Sequence, residues 1–198
     1  MEVERRTLTG LEVRAAEGQP TKIVGYAAVF NSLSEDLGFR EMIMPGAFDR
    51  ALSEKQDVRA LVNHDANYVL GRTKSGTLAL SVDEKGLRAE ITPPDTQAAR
   101  DVLASIKRGD MDGMSFAFQT VSDSWRTQDG MEIRELRDLN LLDVSVVAYP
   151  AYEATSVSAR ALEHAKKATE PPAEPEPEPE PAPDPLESYR LRLQRERL

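Results

Sequence analysis

Between residues 170 and 184 the chain is written almost wholly in glutamate and proline, and this stretch limits how far a folded core can extend. Eight of the 13 prolines fall at positions 171–185. Proline has no amide donor for a helix interior or a sheet ladder, so neither can form here, and extended polyproline II is the expected state. At about 3.1 Å per residue, these fifteen residues reach roughly 45 Å. Six acids and no base lie within them and carry most of the formal charge of −9, which makes a stiff, self-repelling spacer. The chain therefore divides into a folded domain at 1–165, an acidic proline-rich linker at 166–185 and a tail at 186–198. In the tail, Leu186, Tyr189 and Leu193 recur at helical spacing among four arginines. Such a basic amphipathic segment is too short to persist alone and orders only on a partner.

Short or alternating apolar runs bounded by turn residues dominate the first 150 positions, the pattern of a mostly β domain. Strands are predicted at 23–30, 57–63, 77–82, 87–92, 114–124, 132–136 and 141–149. Asp83-Glu84-Lys85-Gly86 and Thr127-Gln128-Asp129-Gly130 each join two such runs and end in a glycine suited to positive φ, so both predict hairpins. Helices are predicted at 45–52, opened by Pro45, and from Pro94-Asp95-Thr96 to a stop at Gly109, with Ala99, Val102, Leu103 and Ile106 on one face. A third helix is predicted at 156–168. Strands outnumber helices, so the expected fold is mostly β (α+β), a closed or nearly closed β-barrel with peripheral helices.

Composition excludes several functions. The acidic balance and the lack of a basic stripe argue against a nucleic-acid binder. Without cysteine there is no disulfide framework, thiol nucleophile or thiolate metal site. The first residues, Met1-Glu2-Val3-Glu4-Arg5-Arg6, form no apolar leader, and no run approaches the roughly 18 apolar residues of a membrane span. The expectation is a soluble cytoplasmic protein with no cofactor, no metal, no nucleic acid and no membrane partner.

Two histidines are present. His164 lies beside the spacer, so His64, in Asn63-His64-Asp65, is the one imidazole expected inside the folded domain. On a strand ending there, His64 shares an inward face with Val58, Ala60 and Val62. Ser115 lies in a strand whose opposite face is Met114, Phe116 and Phe118, while its own face has Ala117 and Gln119. Asp143 interrupts an apolar strand, where a carboxylate costs several kcal/mol unless it accepts hydrogen bonds. Such a local cost often marks a site. In a relay, His64 removes the Ser115 proton, Asp143 fixes the imidazole tautomer, and backbone amides hold an oxyanion. Structural roles are the commoner ones for such residues: a hydrogen-bonded histidine at a strand end, a serine leaving a turn, and an aspartate that caps or bridges to Arg134 or Arg137. Residue chemistry alone leaves the function undecided.

Five segments, in order, resemble one family: Gly25-Tyr26-Ala27-Ala28-Val29-Phe30-Asn31, Met44-Pro45-Gly46-Ala47-Phe48, Val62-Asn63-His64-Asp65, Gly113-Met114-Ser115-Phe116-Ala117-Phe118, and the run from Asp143 through Val144-Ser145-Val146-Val147-Ala148-Tyr149-Pro150 to Ala151-Tyr152. Over about residues 20–157 the chain resembles the prohead (capsid maturation) serine proteases of tailed bacteriophages, a family related to the herpesvirus assembly protease. The resemblance implies a herpesvirus-protease-like barrel, His64 as base, Ser115 as nucleophile and the acid of the last motif, Asp143, as third member. Relatives place Glu there, one methylene longer. Herpesvirus relatives use a second histidine, but His164 lies past the last predicted strand, and Glu135 and Asp138 are the reserve choices. The implied partners are the major capsid protein with its scaffold region, the chain itself through self-cleavage, and a second copy in a dimer or oligomer. The implied location is inside the procapsid in the host cytoplasm. The competing reading is a non-enzymatic scaffold or assembly chaperone that binds coat protein; a metal hydrolase is a distant third, since one domain histidine and no cysteine leave the ligand set thin.

Overall fold

The computed structural model describes residues 3–15 and 20–148. The predicted helix at 156–168, the spacer, the basic tail and His164 lie outside the described residues.

Among the described residues, ten strands and two α-helices follow in the order β1 (Glu4–Thr9), β2 (Leu11–Arg14), β3 (Lys22–Val29), β4 (Arg40–Ile43), α1 (Asp49–Ser53), β5 (Arg59–Val62), β6 (Asp65–Arg72), β7 (Leu78–Val82), β8 (Gly86–Ile91), α2 (Gln97–Arg108), β9 (Gly113–Gln128) and β10 (Met131–Val147). The domain is mostly β, as its patterning predicts, but the ladders do not close. One sheet runs β1-β9-β10-β5-β6 with β4 also on β10, and the other runs β2-β3-β8-β7. The expected barrel is thus corrected to two sheets, and the reason lies at the corners. Between β1 and β2, Gly10 (φ +112) breaks the extended run, and the amides of Gly10 and Leu11 both donate to the Asp112 carbonyl at 3.0 and 3.2 Å. The chain leaves one sheet there and enters the other. From β6 to β7 a single 3-10 turn, Thr73–Ser75, capped by left-handed Gly76, does the same. Strands that change sheet at such bends join two layers without a continuous ladder.

The core lies between the layers. Ile23, Ala27, Leu87, Ala89 and Ile91 face Met114, Phe116, Phe118, Val144 and Val146, all buried in one cluster. Phe116 stacks on Phe118 with centroids 4.9 Å apart and meets the edge of Phe48 at 5.8 Å. At Gly25 a Cβ would lie 2.6 Å from the Met114 sulfur, so the sheets approach closely here. Helix α2 follows its sequence signals: Thr96 caps it by accepting from the Ala99 amide, Gly109 ends it in the left-handed region, and Ala99 and Ile106 are buried. In contrast α1 is shorter than predicted. Gly46 at φ +93 holds the chain out of the helix, and the Met44 amide donates to the Leu136 carbonyl at 3.0 Å. Residues 44–47 are thereby clipped to β10, with Ala47 and Phe48 buried.

Strand β10 is the spine of the first sheet. Two strands were expected where one of 17 residues runs, pairing antiparallel with β9 and parallel with β4 and then β5 along its other edge. Its polar middle continues the strand because each side chain has a partner. Asp138 and Asn140 accept from Arg50 at 2.8 Å, and Gln56 accepts from the Leu141 amide at 2.9 Å. The β9–β10 hairpin turns at Asp129 and Gly130, both left-handed, the geometry a two-residue hairpin favours. Strands β1, β2, β4 and β6 were not predicted. Two of them are held by a buried ion network: Arg134 binds Glu4 at 2.7 Å, Glu41 at 3.1 Å and Asp123 at 2.6 Å, and Arg6 binds Glu41 at 2.6 Å.

Candidate active site

Two strands and one turn supply the site, and on the strands the phase decides where each side chain points. On β9, Met114, Phe116 and Phe118 enter the core, so Ser115 and Ala117 take the opposite face. Directly across from Ser115 are Thr7 on β1 and Ser145 on β10. On β10 the alternation changes phase. Leu139 and Leu141 are buried before the change, and Val144 and Val146 after it. The register slips by one between Leu141, opposite Phe118, and Asp143, opposite Ala117, leaving Leu142 as the extra residue of a bulge. Without it, Asp143 and Ser145 would share the core face with Leu141; with it, both turn to the face of Ser115. Bulges re-aim side chains in this way beside functional sites.

His64 arrives by a route the strand alternation did not foresee. Strand β5 stops at Val62, and the prediction that His64 extends its inward face is corrected: Val62 pairs with Asp65, and Asn63 and His64 form the two-residue turn between β5 and β6. Their φ values are +49 and +57, a doubly left-handed hairpin turn. A histidine there stores strain of order 1 kcal/mol, so the surroundings must hold it. Strand β10 and the residue after it do: the Asn63 amide donates to the Val146 carbonyl at 2.9 Å, the Asn63 side chain accepts from the Ala148 amide at 3.1 Å, and the His64 amide donates to Ser145 Oγ at 3.3 Å.

This turn brings three predicted residues together. His64 Nε2 lies 2.7 Å from Ser115 Oγ, and Nδ1 lies 2.7 Å from Asp143 Oδ1. Ser115 is fully buried, while the His64 and Asp143 side chains retain 9% and 14% exposure. With the carboxylate accepting at Nδ1, the imidazole proton sits there and the Nε2 lone pair faces the hydroxyl, the arrangement needed to take a proton from an attacking serine.

The alternatives are occupied elsewhere. Arg126 Nε donates to Glu135 at 2.8 Å and Arg137 Nη2 at 2.6 Å; the Arg126 bond, opposed by burial and joined by Arg137 and Ser124, holds that carboxyl below its ordinary range. Asp138 is taken by Arg50. Arg134 serves the ion network, so no arginine bridge to Asp143 through it or Arg137 forms. Among the described residues no cluster of three or more His, Asp or Glu could hold a metal.

One residue of the site escaped the sequence reading. Ser145 is fully buried, and its Oγ donates to Asp143 Oδ1 at 2.8 Å and lies 3.2 Å from His64 Nδ1. The signal available was its spacing, two residues after Asp143 on one strand and hence on the same face.

The sequence matches the family described as caudovirus prohead serine protease over residues 9–168. The prohead protease of Enterobacteria phage HK97 is 32% identical over 146 residues, 72% of this chain; the match spans 61% of that relative's length. The solved structure of the bacteriophage T4 capsid assembly protease aligns with a TM-score of 0.44 and 15% identity, over 73% of this chain and 98% of that one.

Proposed function

Since the chain belongs to the caudovirus prohead serine protease family, we propose that it is a serine endopeptidase of capsid maturation with Ser115 as nucleophile, His64 as general base and Asp143 as the group that orients and charges the base. The observation that carries this reading is the unbroken relay, 2.7 Å at each step, from Ser115 Oγ through His64 to Asp143 Oδ1.

In the acylation step, Ser115 Oγ forms a bond to the scissile carbonyl carbon as its proton passes to His64 Nε2. The tetrahedral oxyanion collapses, the C–N bond breaks, and the leaving amine takes the proton from Nε2. Water then repeats the sequence against the acyl-serine, with His64 again accepting and returning a proton. Asp143 balances the imidazolium formed in each half. Because Ser115 exposes no surface, a peptide reaches Oγ only as neighbouring groups shift, and reaction of the free protein is expected to be slow but dependent on Ser115.

The substrates proposed are the coat protein with its scaffold region and the chain itself, cleaved inside the procapsid. Residues 1–165 form the enzyme, 166–185 the acidic spacer, and 186–198 the segment that tethers it to the assembling shell; the spacer's charge and proline content support that division.

Intact mass measured over time, for the wild type and Ser115→Ala each co-expressed with the coat protein, tests the reading. Trimming of coat and tail in the wild type alone is expected. Identical fragments with Ser115→Ala, or shells that mature with no fragment from either, would overturn it.

A further inference from the structure

We propose that Ser145 is a positioning residue that locks the His64 turn and its imidazole tautomer onto Asp143; this rests on the protease reading above. The hydroxyl makes three contacts at once. It donates its single proton to Asp143 Oδ1 at 2.8 Å, it accepts the His64 backbone amide at 3.3 Å, and its oxygen lies 3.2 Å from His64 Nδ1. No exposed surface remains on it, so water cannot substitute for these bonds.

Each contact has its own consequence. His64 sits at φ +57, a conformation that a β-carbon disfavours and that persists only where the surroundings enforce it. The bond from its amide to Ser145 Oγ is one such enforcement, and it satisfies a donor that the turn would otherwise leave beside a buried strand. Meanwhile Asp143 Oδ1 accepts from both Ser145 Oγ and His64 Nδ1. Two converging donors fix the carboxylate's rotation, so that it accepts the hydrogen bond from Nδ1–H along one direction only. The imidazole is then held with its protonated nitrogen inward and Nε2 turned to Ser115.

Ser145 also pairs directly across the ladder with Ser115. The nucleophile and the residue that positions its base therefore share one register, and a slip of β9 against β10 would displace both. The bulge at Leu142 brings Ser145 to this face together with Asp143.

The test uses the full chain and a fluorophosphonate, which phosphonylates a serine activated by its base and expels fluoride. Wild type, Ser145→Ala, Ser145→Thr and Ser115→Ala are compared by labelling rate and melting temperature. In parallel, 15N spectra of the imidazoles are recorded, a simple case with two histidines in the chain. Ser145→Ala is expected to label about 10- to 100-fold more slowly at unchanged probe affinity, because a buried acceptor and donor are lost. Its His64 signals should show exchange between the Nδ1–H and Nε2–H tautomers where the wild type shows Nδ1–H alone. Ser145→Thr, which keeps the hydroxyl, should recover most of the rate and the single tautomer. Labelling of Ser145→Ala at the wild-type rate, or a loss that comes with an unaltered His64 spectrum, would overturn the proposal while leaving the protease reading standing. Equal labelling of wild type and Ser115→Ala would overturn both.

Discussion

Replacing Asp143 by asparagine separates the relay from a merely hydrogen-bonded cluster, because the amide keeps the shape of the carboxylate and removes its charge. Two effects set the expected loss. In the transition state His64 is an imidazolium whose charge centre lies about 4 Å from the carboxylate, given the 2.7 Å contact, and at an effective dielectric near 20 that attraction is worth about 4 kcal/mol. At roughly 1.4 kcal/mol per decade this is about 10³-fold in rate. The amide can also present its NH2 group to Nδ1, which forces the imidazole proton onto Nε2 and leaves no lone pair for Ser115. That mechanism brings the expected fall to about 10³–10⁴-fold. The assay is the second-order rate of fluorophosphonate labelling of Ser115, with trimming of co-expressed coat protein followed by mass and the fold checked by melting temperature. A loss smaller than about tenfold in a protein that melts normally would refute the argument and make Asp143 a spectator.

The ion network makes a prediction about pH. Burial opposes ionisation of Glu4, but the hydrogen bond and charge of Arg134, with Arg6 and Thr120, outweigh it and leave the carboxyl below its ordinary value of 4.5. A depressed folded-state value contributes stability above the unfolded value, lost as pH falls through the folded one. Glu4→Gln should thus lower stability near neutrality by about 2–3 kcal/mol, less than for an isolated buried pair because Arg134 keeps Glu41 and Asp123. Its stability should also change less between neutrality and pH 3 than that of the wild type; parallel melting curves against pH would refute this. Gly86→Ala places a Cβ 2.0 Å from the Ala28 carbonyl oxygen, so β8 cannot stay in register on β3, and a loss of about 3 kcal/mol or more is expected in chemical unfolding. A near-neutral result would show that the β3–β8 approach is looser than described.

Of the three residues that the structure brings together, Ser115 alone obeys simple strand alternation. Ser115 lies opposite Met114, Phe116 and Phe118, and the cost of placing Asp143 in an apolar run pointed to a partner. The turns at Asp83 and Asp129 and the caps of α2 followed from local chemistry, although Gly86 proves necessary for close approach to Ala28 as much as for its turn. What failed did so where a long-range partner replaces a local signal. In β1, Glu4 and Arg6 stand where apolar residues would be expected, since their charges are met by Arg134 and Glu41. Strand β4 was missed because Glu41 is one of its buried residues. Much of β6 is exposed, Ala66 to Val69 among it, so no alternation marks it. The middle of β10 looked like a break because Arg50 and Gln56, which satisfy it, lie more than 80 positions away. Nor does any local pattern disclose the bulge at Leu142, which arises from pairing with β9.

The parallel pairing of β5 with β10 has a consequence for the order in which the molecule becomes chemically competent. His64 and Asp143 are 79 positions apart, and His64 and Ser115 are 51 apart. Contacts of such separation form late, after loop closure has been met by the rest of the sheet. During synthesis, at about 5–20 residues per second, His64 emerges on the order of ten seconds before Asp143 exists. A chain interrupted before β10 therefore holds a serine and a histidine but no relay between them. The same strand that joins β9 to β5 in the first sheet also supplies Asp143, the carboxylate that meets His64. On the proposed reading, hydrolytic competence is in this way a report that the long-range pairing of β10 has formed, and a nascent or misregistered copy carries no assembled relay to turn on its neighbours.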